Sequence, residues 1–223
     1  MSTDSGIPDF RSPTGIWAKY QPVYYDDFMA SVEARREYWR QKCEGHAAFA
    51  GAHPNPAHRI LAGWERDGRL LGVITQNIDG LHQEAGSRVV HELHGSARQV
   101  ACQDCAHRSD AEPWVREFLE TGELPRCPDC SGDRLKHATI SFGQALDRAV
   151  LDASVDLAHR GDLFLALGSS LVVHPAASLP RIAKESGARL VIVNREPTPL
   201  DLWADLVFLE GIADVLGRSV DRA

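Results

Sequence analysis

Short aliphatic runs, separated by longer stretches of helical periodicity, dominate the chain. Leu71 to Thr75, Val89 to Leu93, Leu163 to Leu167, Arg189 to Val193 and Leu206 to Leu209 each have the length and composition of buried parallel strands. Between them, apolar residues recur at helical spacing. Ala57, Ile60, Leu61 and Trp64 share one face, with Asn55 placed to cap, Pro56 at the first helical position and Gly68 to close. Leu146, Val150, Leu151, Ser154 and Ala158 make a second face; Leu179, Ile182 and Ala183 make a third after Pro175. The alternation predicts an α/β fold with a doubly wound parallel sheet.

The residues that follow the strands carry the chemistry, because ligands of open α/β sheets bind beyond the carboxyl ends of the strands. The first run leads into Gln76-Asn77-Ile78-Asp79-Gly80, the second into His94-Gly95, the third into Gly168-Ser169-Ser170 and the fourth into Asn194. Any one of these is ordinary turn chemistry. Four together predict a single polar crevice.

Composition narrows the function. With 43% hydrophobic and 25% charged residues the chain is neither disordered nor fibrous. Its longest mostly apolar stretch, Leu163 to Val173, is broken by Gly168, Ser169 and Ser170 and falls short of the roughly 18 residues a membrane helix needs. The opening residues lack a secretory pattern, so a cytoplasmic protein is expected. The balance of 24 Lys and Arg against 31 Asp and Glu argues against a phosphate-backbone footprint and favours small molecules or cationic peptides.

Cys102-x-x-Cys105 and Cys127-x-x-Cys130 have the spacing of two knuckles closing on one tetrahedral, structural zinc. A redox pair is the competing reading, but thioredoxin-type motifs do not come as spaced pairs. The segment Gln99 to His137 is therefore expected to be a zinc-stapled module, and its excess of carboxylates argues against a nucleic-acid ribbon. Cys43 stands alone and reads as a packing residue.

Taken in chain order, several segments resemble the sirtuin signature: Gly6-Ile7-Pro8-Asp9-Phe10-Arg11, Thr75-Gln76-Asn77-Ile78-Asp79-Gly80-Leu81-His82, Glu92-Leu93-His94-Gly95 and the paired cysteine motif. Ser141-Phe142-Gly143, Gly168-Ser169-Ser170-Leu171 and Val191-Ile192-Val193-Asn194 complete it, and the resemblance to bacterial-type sirtuins runs nearly end to end. It implies a Rossmann-like NAD-binding domain from residues 1–19, 60–98 and 138–223, with a smaller domain made of a helical module, 20–59, and a zinc-binding module, 99–137. It also implies an NAD-dependent protein deacetylase that transfers acyl groups, acetyl first, from lysine to ADP-ribose, releasing nicotinamide. Acetylated peptides would be the partners of a monomer that binds neither nucleic acid nor membrane.

Carried over by position, the resemblance makes His94 the general base, a role that suits an imidazole at working pH. Gln76 and Asn77 would hold the nicotinamide ribose, with Asn77 joining His94 in catalysis. Asp79 would bind the nicotinamide carboxamide and Ile78 would line its pocket. Phe10 would shield the reacting ribose carbon, with Asp9 and Arg11 in the cofactor loop. Ser2, Thr3, Gly168, Ser169, Ser170 and Asn194 would contact phosphate and adenosine ribose, and Asp214 the adenine end. Substrate would lie as an added strand between Phe142-Gly143 and Leu171-Val172. Mono-ADP-ribosyl transfer and a zinc-stapled binding module without turnover are the alternatives.

Departures from the resemblance set further expectations. Met1 falls where sirtuins continue from a first strand and a Gly-Ala-Gly turn, so the strands beside that position are expected to be unpaired, with an apolar groove between them. Either translation starts upstream or the chain is truncated with impaired NAD binding. Gln144 stands where many sirtuins have Glu, and His137 where many have Pro. The Tyr-x-x-Arg pair of members that prefer acidic acyl groups has Trp39 with Lys42 as its nearest match, so uncharged acyl groups are expected. The Arg35, Arg36, Arg40 and Lys42 cluster is alternatively a solvated helix face. His46, His53 and His58 lack a paired metal motif.

Overall fold

A computed structural model describes residues 1–8, 15 and 21–220, with residues 47–48 and 219–220 described by backbone alone. A short 3-10 turn at Ser2–Ser5 closes on Gly6 at φ +85°. Helices α1 (Tyr25–Ala30) and α2 (Val32–Ala50) are separated by Ser31, whose extended backbone breaks the run. Helix α3 (Pro56–Arg66) starts as its sequence predicts: the Asn55 side chain accepts from the Ala57 and His58 amides, and the His58 ring accepts from the Asn55 amide.

Then follow β1 (Val73–Thr75), α4 (Leu81–Glu84), β2 (Val90–Glu92), β3 (Gly95–Cys102), β4 (Arg108–Asp110), α5 (Glu112–Thr121) and β5 (Leu135–Thr139). The chain ends with α6 (Arg148–Arg160), β6 (Leu163–Leu167), α7 (Leu179–Glu185), β7 (Arg189–Val193), β8 (Leu206–Phe208) and α8 (Ile212–Val220). Leu146 precedes the Asp147 cap of α6 and so lies outside the helix whose face it was expected to share.

The parallel strands form two sheets rather than one. One is β1–β2; the other has the order β6-β7-β8, all parallel. Among the described residues, β1 pairs only with β2 and β6 only with β7, so each presents an edge that none of these residues pairs. Strands β1 and β2 are shorter than their aliphatic runs, and Leu71 and Leu163 are 47% and 49% exposed instead of buried.

Shared helices hold the two sheets together. Ile74 of β1 and Phe164 of β6 pack against one cluster that contains Ala158 of α6 with Leu179 and Ala183 of α7. Ala57 and Leu61 of α3, Val193 of β7, and Ile212 and Leu216 of α8 form another, which Met1, Leu70 and Leu167 flank.

The antiparallel sheet β4-β3-β5 carries the paired cysteines. Its core joins Phe28, Tyr38, Trp39 and Cys43 of the helical segment to Val100, Ala111, Val115 and Leu135. The expected helical and zinc modules thus share one apolar core. Fully burying Phe28 and Trp39 stabilises it by roughly 2 to 3 kcal/mol each. Cys43 packs there as anticipated. Arg35 is buried, donating to the Phe28 and Met29 carbonyls and to Asp133, so that part of the basic cluster is not a solvated face. Among the described residues, no helix is long and apolar enough to cross a membrane.

Candidate active site

Hydrogen bonds link the polar residues after β1, β2 and β6, whereas Asn194 after β7 bonds within its own loop. After β1, the Asn77 amide is held by the Thr75 hydroxyl at 3.0 Å, which turns the chain sharply. Asp79 is 4% exposed, and its two oxygens accept from the Leu81 amide at 2.9 Å and the Ser2 hydroxyl at 2.7 Å. The same Ser2 oxygen accepts from the Asn77 side chain at 2.8 Å. Gly80 at φ +72° makes the bend, and Arg98 fixes it by donating to the Asp79 carbonyl at 2.8 Å.

His94 follows β2 and lies 3.1 Å from the Gln76 carbonyl through Nδ1. A carbonyl can only accept, so Nδ1 carries the proton and Nε2 is the basic atom. Gly95 at φ +70° is irreplaceable there, because a Cβ would stand 2.0 Å from the Ala138 carbonyl oxygen of β5. Across the crevice, the Gln76 side chain donates to the Ser169 hydroxyl at 3.3 Å and so links the ends of β1 and β6.

Other expected residues are less engaged. Asn194 donates its side-chain amide to the Glu196 carbonyl at 2.7 Å. Thr3 is exposed, and Asp214, exposed in the first turn of α8, folds back over Gly211. Asp9, Phe10 and Arg11 lie outside the described residues. Leu171 is buried while Val172, Phe142 and Gly143 are exposed. Trp39 is fully buried with its indole N–H on the Leu135 carbonyl, so Trp39 and Lys42 are not an acyl-carboxylate clamp.

Burial governs the electrostatics around this centre. It lowers the pKa of the Met1 ammonium, raises that of the Glu92 carboxyl and lowers that of His82. His82 packs against His58, with ring centroids 4.8 Å apart. His46 bonds to Glu112 and His53 to Glu84, so the three histidines of residues 46–58 do not assemble.

Sequence reasoning missed three contributors. Asn55, read only as a cap, also donates to the Met1 carbonyl and the Ser5 hydroxyl and so fixes the Ser2 turn. Tyr24 packs against Phe142 with the rings tilted and their centroids 5.9 Å apart. Lys136 reaches beneath the Phe142 turn. Only Asn55 left a local signal; the other two are placed by tertiary contacts.

The cysteine sulfurs all lie within 4.8 Å of one another, with Cys102–Cys130 and Cys105–Cys127 separations of 3.6 Å. A tetrahedron with Zn–S bonds of about 2.3 Å has edges of about 3.8 Å, so the four thiolates fit one zinc ion with no open position. The crevice fits a dinucleotide in its donor set: hydroxyls and amides for ribose oxygens, and a buried carboxylate beside an amide for a carboxamide.

Comparison with known proteins agrees with this geometry. The model of the Sir2 family matches residues 1–175. An NAD-dependent protein deacetylase of Rhodopseudomonas palustris is 47% identical over 223 residues, spanning 99% of this chain and 87% of the relative. An NAD-dependent protein deacylase of Archaeoglobus fulgidus is 42% identical, spanning 100% and 87%. A solved Sir2–p53 peptide–NAD+ complex superposes with a TM-score of 0.89 at 39% identity, covering 99% of this chain and 88% of that one. Shared residues, shared fold and the four-thiolate cluster lead to one conclusion: the chain belongs to the Sir2 family.

Proposed function

We propose that this chain is an NAD-dependent protein lysine deacylase that takes acetyl-lysine peptides, with one structural zinc held by Cys102, Cys105, Cys127 and Cys130. The observation that carries the reading is the convergence of Asp79, Asn77, Ser2, Gln76, Ser169 and His94 at the carboxyl ends of β1, β2 and β6. Relatives named for this activity span nearly the whole chain.

Bound NAD supplies the ribose carbon to which the acyl oxygen is transferred as nicotinamide leaves. Asp79, with Asn77 and Ile78, orients the carboxamide. Gln76 and Asn77 hold the neighbouring ribose, and Ser169, Ser170 and Asn194 hold the far half of the dinucleotide. His94 takes the proton of a ribose hydroxyl at Nε2, while its Nδ1–H stays on the Gln76 carbonyl. The peptide lies between Phe142-Gly143 and Leu171-Val172. The same reading makes the protein a cytoplasmic monomer that does not bind nucleic acid, which its net charge of −7 supports.

Mass spectrometry of an acetyl-lysine peptide incubated with NAD and the protein tests this. Deacetylated peptide and O-acetyl-ADP-ribose are expected, and His94→Tyr should abolish both while leaving peptide binding intact. Turnover retained in that variant would remove His94 as the base. The edges of β1 and β6, unpaired among the described residues, favour one second reading, in which the chain binds zinc and peptide without turnover. Peptide binding without product in the parent chain would select it.

A further inference from the structure

The turn Ser141–Gln144 has the Phe142 seat at its tip, and its support is unusual. Lys136 of β5 is 1% exposed, and its ammonium makes no salt bridge among the described residues. It donates instead to three oxygens: the Thr139 carbonyl at 2.5 Å, the His137 carbonyl at 3.3 Å and the Gln144 side-chain oxygen at 3.3 Å. That Gln144 oxygen also accepts from the Ser141 amide at 3.1 Å, which closes the turn. The strand continues into Ile140, whose amide donates to the His94 carbonyl at 2.9 Å, and the Phe142 carbonyl receives the Tyr25 amide at 2.9 Å. One buried ammonium therefore lies beneath the peptide turn and at the foot of the strand that meets His94.

We infer that Lys136 is a positioning residue which, through Gln144, sets the Ser141–Gln144 turn for the substrate peptide. The inference rests on the proposed deacylase reading, in which Phe142 and Gly143 border the peptide. A charge with no carboxylate partner is costly to bury unless its hydrogen bonds are complete. Here the three acceptors belong to the turn and its base, so moving the turn strands the ammonium. Burial, with Lys42 nearby, pushes the Lys136 pKa down to about 7, in line with the absence of a carboxylate. Gln144 closes the turn without supplying a counter-charge, and a Glu at that position would supply one. The buried geometry thus couples peptide affinity to two residues that need not touch the peptide.

Calorimetric Kd and steady-state KM for an acetyl-lysine peptide, measured on the full chain with zinc, test the inference. Gln144→Leu should raise both about tenfold, equivalent to about 1.4 kcal/mol, with kcat changed by less than about threefold and the NAD KM unchanged. Gln144→Glu keeps both acceptor contacts and should bind peptide at least as tightly as the parent. Lys136→Met should match Gln144→Leu, and the double variant should be no worse than either single. If Lys136→Met does not fold, the two Gln144 variants decide alone. Unchanged Kd in Gln144→Leu, while Phe142→Ala weakens binding, would overturn the role of Lys136 and leave the peptide seat standing. Unchanged Kd in both variants would overturn the seat itself, and the inference with it. Lower thermal stability of Gln144→Leu without a change in Kd would show a merely structural contact.

Discussion

Two buried imidazoles, His58 and His82, pack against each other within the electrostatic reach of Asp79, and burial disfavours their protonation. His58 and His82 are both buried, and His58 Nε2 and His82 Nδ1 lack partners among the described residues. Burial, reinforced by His82 and opposed by Asp79, lowers the His58 pKa to about 4, while His82 is lowered by burial. In the unfolded chain each would titrate near 6.5. Between about pH 6.5 and 4, the unfolded state therefore binds more protons than the folded state, and stability falls as pH falls through that window. Above about pH 6.5 both states are neutral at these positions and the effect vanishes. Urea melts at about pH 7 and pH 5 should show a clear loss at the lower value, and His58→Gln, which keeps the acceptor for the Asn55 amide, should lose less. Equal losses in parent and variant would show that the acid sensitivity lies elsewhere. In the sequence, His58 reads as one of three loop histidines; its burial follows from the α3 face, which periodicity revealed only for the apolar residues.

At the level of elements, the cysteine-bearing sheet shows what local pattern can and cannot reveal. The paired Cys-x-x-Cys motif specifies four converging sulfurs because each knuckle is a local turn and the ion dictates the rest. Strand bounds were less legible: Leu71 and Val89 continue their aliphatic runs but lie outside β1 and β2, because strand length is set by a neighbour and not by composition. Tyr24 and Lys136 had no signal, since a lysine is read as surface unless its acceptors, here two backbone carbonyls and the Gln144 side chain, are known. The shared core makes a further point. Val100, Cys102, Cys127 and Leu135 pack directly on Phe28, Tyr38 and Trp39, so the zinc cluster and the helical segment should lose order together. Cys102→Ala is expected to abolish zinc retention and lower stability by several kcal/mol, because binding of a structural ion contributes directly to folding. Elemental analysis with thermal melts checks this. A variant that keeps both its zinc and its melting temperature would contradict a closed four-thiolate site.

For the molecule as a whole, the described parallel strands fall into two sheets, β1–β2 and β6-β7-β8, with facing edges to account for. Strands β1 and β6 are parallel to their own partners, are covered by the same helices, and have carboxyl ends linked by Gln76 and Ser169. Met1 sits at this junction: a Cβ on Gly168 would stand 2.9 Å from its nitrogen, and its ammonium is held in a buried environment that lowers its pKa. Two parallel edges that no described residue pairs, beneath shared helices, are unfavourable, since parallel sheets are stable when continuous and covered. A strand running parallel to both and ending at Met1 would pair both edges, cover apolar surface now exposed near Leu163 and replace the buried ammonium with a neutral peptide group. Five aliphatic residues joined to the Met1 nitrogen should therefore raise the melting temperature by roughly 10 °C, the scale of a few kcal/mol in a domain this size. The same extension carrying a central proline, which cannot donate to the ladder, should give little of that gain. Because the gap opens onto the junction of Gln76, Ser169 and Gly168, the aliphatic extension should also tighten NAD binding by calorimetry. Equal melting temperatures for the two extensions would mean that β1 and β6 do not accept a strand between them.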